Sequence, residues 1–339
     1  MGSALLHNTY STYDTGWRSW LRYCRARRLH PLRGTSADVC DYLVELARKG
    51  TVSIRSCQPY LSAINRAYAD CGRRRPAKGH YVNAIRNALR LRQRGLHARA
   101  RRVPLPAEVG KRLHDATVAL VGSPDWPRSQ PELHLGRDLL QAIISVLSGS
   151  RPSSIRTLDV AGLQVTAGGI RLRRAYVKGQ IDAEPYDIVG RVDVTFRGFV
   201  NLERALTRYL DVVCAGAAPT DLVFQLGPCD GSSEASARWW RSALAHVRAV
   251  APAGCAYLPH SARATFASGT HVVVGDRDKL EYVGGWAPGS PTVGKHYIDP
   301  LFPHTPAAVF LYGWMRQGLA APSAAPPAVY NGQHETPSR

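Results

Sequence analysis

Apolar residues follow two rhythms along this chain, and the change from one to the other divides it. Over the first hundred positions the rhythm is helical. Tyr10, Tyr13, Trp17, Trp20, Leu21 and Cys24 recur at three- and four-residue steps, with arginines on the opposite face. A second helix runs through Val39, Tyr42, Leu43, Leu46 and Ala47, capped by Thr35 or Ser36 and stopped by Gly50. A third is expected over 53–69, carrying Ile54, Tyr60, Leu61, Ile64 and Tyr68 and halted at Cys71-Gly72. A fourth, over 81–94, carries Val82, Ile85 and Leu89 and closes at Gly95. Four short helices with brief connections make a bundle. The aromatic stripe of the first helix belongs in its core rather than on a base-stacking surface, because it sits at buried-face spacing.

The rhythm breaks at 96–106, Leu-His-Ala-Arg-Ala-Arg-Arg-Val-Pro-Leu-Pro, which reads as an extended basic linker. Beyond it, helices over 107–121 and 133–148 lead into a β-rich patch at 163–165, 170–177 and 186–194. The last two runs face each other across 179–185. Helices resume at 200–213, 234–250, 260–271 and 276–283, and an apolar helix over 307–315 precedes a tail rich in Ala, Pro and Ser that is expected to be disordered. The pattern therefore predicts a mainly α chain with a small β-sheet. Its divisions are an all-helical domain over 1–97, a basic linker over 98–106, a mixed α/β domain over 107–317 and a tail over 318–339.

Charge changes this picture from architecture to partner. The chain of 339 residues has a net charge of +19, and Arg outnumbers Lys by far: the Lys positions are only 49, 78, 111, 178, 279 and 295. Residues 1–102 hold 21 Lys and Arg against five Asp and Glu, so that third carries +16 of the total. Coding bias explains Arg over Lys but not this concentration. A field so localised points to a polyanion, nucleic acid before a membrane surface. No stretch approaches the ~20 apolar residues of a membrane span. The first residues, Met1-Gly-Ser-Ala-Leu-Leu-His, lack the basic region and sustained apolar run of a signal peptide. Seven widely spaced cysteines with no CxxC pair read as reduced thiols of an intracellular protein.

Several residues able to hold and cut a phosphodiester stand in the second domain. Arg151 follows Leu147-Ser-Gly-Ser at the end of an apolar helix, with Arg156 as its rival. Lys178 lies where the run over 170–177 turns toward its partner. His260-Ser-Ala-Arg263 places an imidazole and a guanidinium at i, i+3 on one helical face. Alone this motif is weak, since His30–Arg33 and His134–Arg137 also fit HxxR. Leu280-Glu-Tyr-Val-Gly-Gly-Trp286 follows, and then Gly294-Lys-His-Tyr-Ile-Asp299, which supplies Tyr297.

The ordered series Arg, β-hairpin Lys, HxxR, Gly-Gly-Trp, Tyr resembles the tyrosine recombinases, or phage-type integrases, with a Cre-like active-site pattern. The resemblance extends to the first two helices, which are similar to that family's helical core-binding domain. It implies a helical core-binding domain joined to a catalytic domain that together clamp duplex DNA. It also implies chemistry. Arg151 and Arg263 would hold the non-bridging phosphate oxygens, and Trp286 would hydrogen-bond the phosphate. Tyr297 would attack phosphorus to give a 3′-phosphotyrosyl link. Lys178 would protonate the leaving 5′ oxygen, and His260 would assist proton movement at the tyrosine. The covalent link conserves bond energy, so neither metal nor ATP is implied, and partner copies are expected as a dimer on a site and a tetramer in synapsis. Ser154 stands where the family usually has an acidic residue, and the eleven-residue step from Trp286 to Tyr297 contains Pro288, Gly289 and Pro291. A DNA-binding descendant without activity and a type IB topoisomerase-like enzyme remain the alternatives.

Overall fold

A computed structural model describes residues 7–50, 53–93, 101–173, 193–226, 233–286 and 289–317. Two compact units compose the chain, Met1–Arg99 and Ala100–Arg339. In the first, helices α1 (His7–Arg27), α2 (Ser36–Lys49), α3 (Gln58–Asp70) and α4 (His80–Arg92) form the bundle. Local chemistry sets the ends of α2. Thr35 and Asp38 exchange side-chain-to-backbone hydrogen bonds in a capping box, and Gly50 leaves the helix at φ 65°. The third helix begins five residues later than its apolar pattern suggests. Pro59 cannot continue a helix begun at 53, because its ring would meet the carbonyl four residues before it. The chain instead makes a 3₁₀ turn over Ile54–Ser56 and restarts at Gln58.

The aromatic stripe closes into the core of this unit. Trp20, Tyr23 and Tyr42 are buried with ring centroids 5.2–5.4 Å apart. Two of them are hydrogen-bonded there: Trp20 Nε1 donates to the Pro31 carbonyl at 2.9 Å and the Tyr42 hydroxyl to Ser19 Oγ at 2.8 Å. Burial pushes the Tyr42 hydroxyl well above the ordinary phenol range. Several acidic side chains of the unit are spent locally, Asp14 on Arg18, Glu45 on Lys49 and Arg27, and Asp70 on Arg66.

The second unit is built around a buried helix. Its elements in order are β1 (Arg101–Arg102), α5 (Ala107–Val121), α6 (Gln130–Ser148), α7 (Pro152–Arg156), β2 (Leu163–Thr166), β3 (Gly169–Arg173), β4 (Asp193–Phe196), α8 (Val200–Val213), α9 (Ser233–His246), β5 (Cys255–Ala256), α10 (Pro259–Val274), α11 (Arg277–Gly284), α12 (Pro291–His296) and α13 (Pro306–Tyr312). Residues 138–148 of α6 are all buried, and α5, α9 and α10 pack around this helix. Strands β2, β3 and β4 form an antiparallel sheet in that order, with Leu163 opposite Leu172 and Ile170 opposite Phe196. Lys178 and the rest of 174–192, between β3 and β4, lie outside the described residues, as does the tail over 318–339.

Two helix ends of the second unit differ from the sequence expectation, and the linker gains a tertiary pairing. Arg101 and Arg102 of the expected linker are extended and pair in parallel with Cys255 and Ala256. The helix over 234–250 stops at His246, where Arg248 takes a left-handed φ of 51° and the Ala249 N–H returns to the Leu244 carbonyl. The last apolar helix is α-helical only to Tyr312 and continues as a 3₁₀ turn over Gly313–Gln317. It packs on its own unit: Leu311, Tyr312 and Met315 are buried, and the Tyr312 hydroxyl donates to the Val146 carbonyl of α6 at 3.3 Å. Among the described residues no helix is long and apolar enough to cross a membrane.

Candidate active site

Two helix ends and one buried guanidinium create the site. Helix α6 terminates at Gly149 in the left-handed region, φ 59°. A Cβ there would lie 2.4 Å from Phe266, so only glycine fits both the turn and the space. The Gly149 carbonyl accepts from Arg263 Nη1 at 2.5 Å, and the same nitrogen donates to the Gly284 carbonyl at the end of α11 at 2.6 Å. Both acceptors are helix C-terminal carbonyls, the partially negative ends of their helices. Arg263 is 1% exposed. A cation so buried needs compensation, and here it comes from these two carbonyls and an aromatic face.

That face is Trp286. The Arg263 guanidinium carbon lies 3.6 Å from the indole centroid. The Gly-Gly before the tryptophan makes this possible. Gly285 takes φ 63°, and a Cβ on Gly284 would come within 1.7 Å of Trp286 Cζ3. The chain therefore folds back, with the Trp286 N–H donating to the Glu281 carbonyl at 2.9 Å, and lays the indole over Arg263. Phe266 of α10 stacks on the indole at a centroid distance of 6.4 Å.

Tyr297, half-buried, closes α12 and meets this pair. Its ring is edge-on to Trp286 at 5.3 Å, 5.6 Å from the Arg263 guanidinium carbon and 5.5 Å from that of Arg102. Its backbone is held from two sides. The N–H donates to the Val293 carbonyl at 3.0 Å, and the carbonyl accepts from Ser268 Oγ of α10 at 3.1 Å. Ser268 also accepts the Asp299 N–H at 2.8 Å. The proline- and glycine-bearing step before Tyr297 is clipped by Glu281. This buried carboxylate accepts from Arg277 Nε at 2.8 Å and from the Gly289 N–H at 2.6 Å, while Arg277 Nη2 donates to the Ser290 carbonyl at 2.9 Å. The Arg277 hydrogen bond is the main reason the Glu281 carboxyl is held below its ordinary pKa.

Of the residues selected from sequence, the structure brings Arg263, Trp286 and Tyr297 into direct contact. Arg151 is half-buried at the N-cap of α7, two residues beyond the carbonyl that Arg263 holds. Its rival Arg156 sits at the far end of the same short helix. His260 is exposed in the first turn of α10, one turn before Arg263. Ser154 is buried. The rival tyrosines sit elsewhere in the fold. The Tyr257 carbonyl accepts from Trp240 Nε1 at 3.0 Å, and Tyr282 stands exposed on α11.

Sequence reasoning missed Ser268, Glu281 and the placement of Arg102. Only Glu281 left a trace, as an acid four residues after Arg277 on a helix.

No family model and no curated protein matches this sequence. Solved structures do. A lambda integrase dimer bound to a COC′ core site aligns with a TM-score of 0.50 at 15% identity, over 89% of this chain and 92% of that one. A XerH site-specific recombinase bound to difH substrate in a pre-cleavage complex gives 0.54 at 14%, over 86% and 75%. The Tn1549 transposon integrase in complex with transposon right end DNA gives 0.51 at 13%, over 91% and 90%. This chain has the tyrosine recombinase fold.

Proposed function

We propose that this protein is a site-specific DNA recombinase or integrase that breaks and rejoins duplex DNA through Tyr297. The observation that carries the reading is the contact of the Tyr297 ring with a buried Arg263 and its Trp286 cover. A phenol is a weak nucleophile at neutral pH, so it needs a fixed position and a cation to stabilise the charge on the non-bridging phosphate oxygens in the transition state. The fold supplies both within one cluster. In the proposed step the Tyr297 oxygen bonds to phosphorus while the bond to the 5′ oxygen breaks, leaving a 3′-phosphotyrosyl link and a 5′-hydroxyl. Lys178 donates the proton to that leaving oxygen, His260 takes part in proton movement at the phenol, and Arg151 joins Arg263 on the phosphate. The reverse attack by a 5′-hydroxyl reseals the strand.

The DNA grip comes from the other unit. Its residues 1–99 hold 19 Lys and Arg against five Asp and Glu, a net charge of +14 that suits sequence-tolerant phosphate contacts. The similar structures are themselves proteins on DNA: a lambda integrase dimer on a core site, XerH on difH and the Tn1549 integrase on a transposon end. The proposed working state is likewise a dimer on double-stranded DNA, with a tetramer in synapsis.

Nicked duplexes randomised across the cleavage region test the reading, because loss of the short released strand traps a covalent complex. Wild type should become resistant to denaturing separation from DNA, and Tyr297→Phe should not. Equal trapping by Tyr297→Phe refutes the nucleophile. Absence of wild-type trapping across the pool favours a DNA-binding protein without this chemistry.

A further inference from the structure

The segment just after the junction of the two units reaches the candidate nucleophile. The sequence presents Arg101-Arg102 as part of a basic stretch suited to following phosphates, yet the structure fixes it inside the second unit. Arg102 pairs with Ala256 in the parallel β1–β5 ladder, four residues before His260. Three residues on, the buried Leu105 is bonded to α10 through both backbone groups. Its N–H donates to Thr265 Oγ1 at 2.7 Å, and its carbonyl accepts from the same hydroxyl at 3.3 Å. The backbone at Arg102 is thus tied to β5 and, three residues on, to α10, the helix that carries His260 and Arg263.

From that anchored position the exposed Arg102 places its guanidinium carbon 5.5 Å from the Tyr297 ring centroid. Ser268 and Val293 hold the backbone of Tyr297, but ring orientation depends on what touches the ring. Around the ring stand Trp286 in an edge-on contact, the buried Arg263 and the exposed Arg102.

We propose that Arg102 is a positioning residue for Tyr297, holding its ring against the Arg263–Trp286 pair. The inference rests on Tyr297 being the nucleophile. A guanidinium stays charged at every working pH, and an exposed cation–π contact corresponds to about a two- to fivefold change in the population it stabilises. That change should appear in the rate of covalent capture and not in DNA affinity.

The test uses the full chain and nicked duplexes recovered from a randomised pool by wild-type trapping. Single-turnover covalent capture is timed at saturating DNA, and dissociation constants are measured across a salt series. Arg102→Gln should slow the saturated rate about two- to fivefold, and Arg102→Lys, which keeps a cation over the ring, should recover at least half of the loss. If Arg102→Gln leaves the saturated rate intact but weakens binding and lowers the salt slope by about one, Arg102 is a phosphate contact and the inference fails while the nucleophile stands. Arg102→Lys as slow as Arg102→Gln also overturns it, because the effect then does not follow the charge. Equal capture by Tyr297→Phe removes the nucleophile and this inference together.

Discussion

Replacing Gly284 by alanine tests how the site is assembled. Gly284 is the last residue of α11, where alanine suits the backbone better than glycine does, so the substitution adds no conformational strain. Its methyl, however, would stand 1.7 Å from Trp286 Cζ3 and 2.2 Å from Cε3. These are ring atoms of a side chain already stacked on Arg263 and Phe266. Relief has two routes. The turn can shift and overpack, at about 1–3 kcal/mol, or the indole can leave Arg263 and forfeit a desolvated cation–π contact of about 2 kcal/mol. The cheaper route governs, so the loss should be about 1–2 kcal/mol. For a unit of this size that lowers the melting temperature by roughly 2–8 °C. Urea unfolding of the full chain, followed by circular dichroism at 222 nm, measures it. The decisive arm is a double-mutant cycle with Trp286→Ala. Once the indole is gone, Gly284→Ala should cost less than about 0.5 kcal/mol. An undiminished cost in that background would mean that the Gly284–Trp286 packing described here is wrong.

Two further substitutions probe the helix ends and the clip. Gly149 and Gly275 both take left-handed φ at helix C-termini, 59° and 72°, but a Cβ meets Phe266 at 2.4 Å at the first and nothing within 4 Å at the second. Gly275→Ala should therefore cost only the conformational term of about 1–2 kcal/mol, and Gly149→Ala about 1–3 kcal/mol more from overpacking; equal losses in chemical denaturation would discount the Phe266 contact. Glu281 has a folded-state pKa below its usual 4.5, with Arg277 as the leading cause. Its contribution to stability is complete above the usual value and lost as pH falls through the lowered one. Glu281→Gln should be less stable than wild type at pH 7, with the gap shrinking below about pH 4.5; a constant gap in thermal melts from pH 7 to pH 3 would contradict the assignment.

Much of the fold is legible in the chain because helices are written locally. The steps from Trp20 to Cys24 and from Val39 to Leu46 repeat at the helical period, and Thr35, Asp38 and Gly50 punctuate a helix with chemistry confined to a few residues. The helix over 200–213 is read to the residue for the same reason. The start of α3 is a local matter too, since Pro59 is plainly visible, but its effect competes with an apolar pattern that runs straight through it. The site is legible in part. The order of Arg151, His260, Arg263, Trp286 and Tyr297 suggested one centre, and the fold joins the last three by contact.

The sequence by itself determined the helical rhythm, the concentration of positive charge in the first third, and which residue types could serve a phosphodiester. Tertiary structure alone decided how they are held. Two-residue strands have no period to detect, so nothing near Arg102 announces its pairing with Ala256. Leu105 and Thr265 bond across 160 residues of chain, and Ser268 is an ordinary small helix residue until Tyr297 is brought beside it. Gly149 and Gly284 look alike as helix terminators, yet each is also required by a ring that folding presses against it. Periodicity and capping depend on neighbours along the chain. A buried guanidinium between two helix ends depends on neighbours in space, and those exist only once the core has closed.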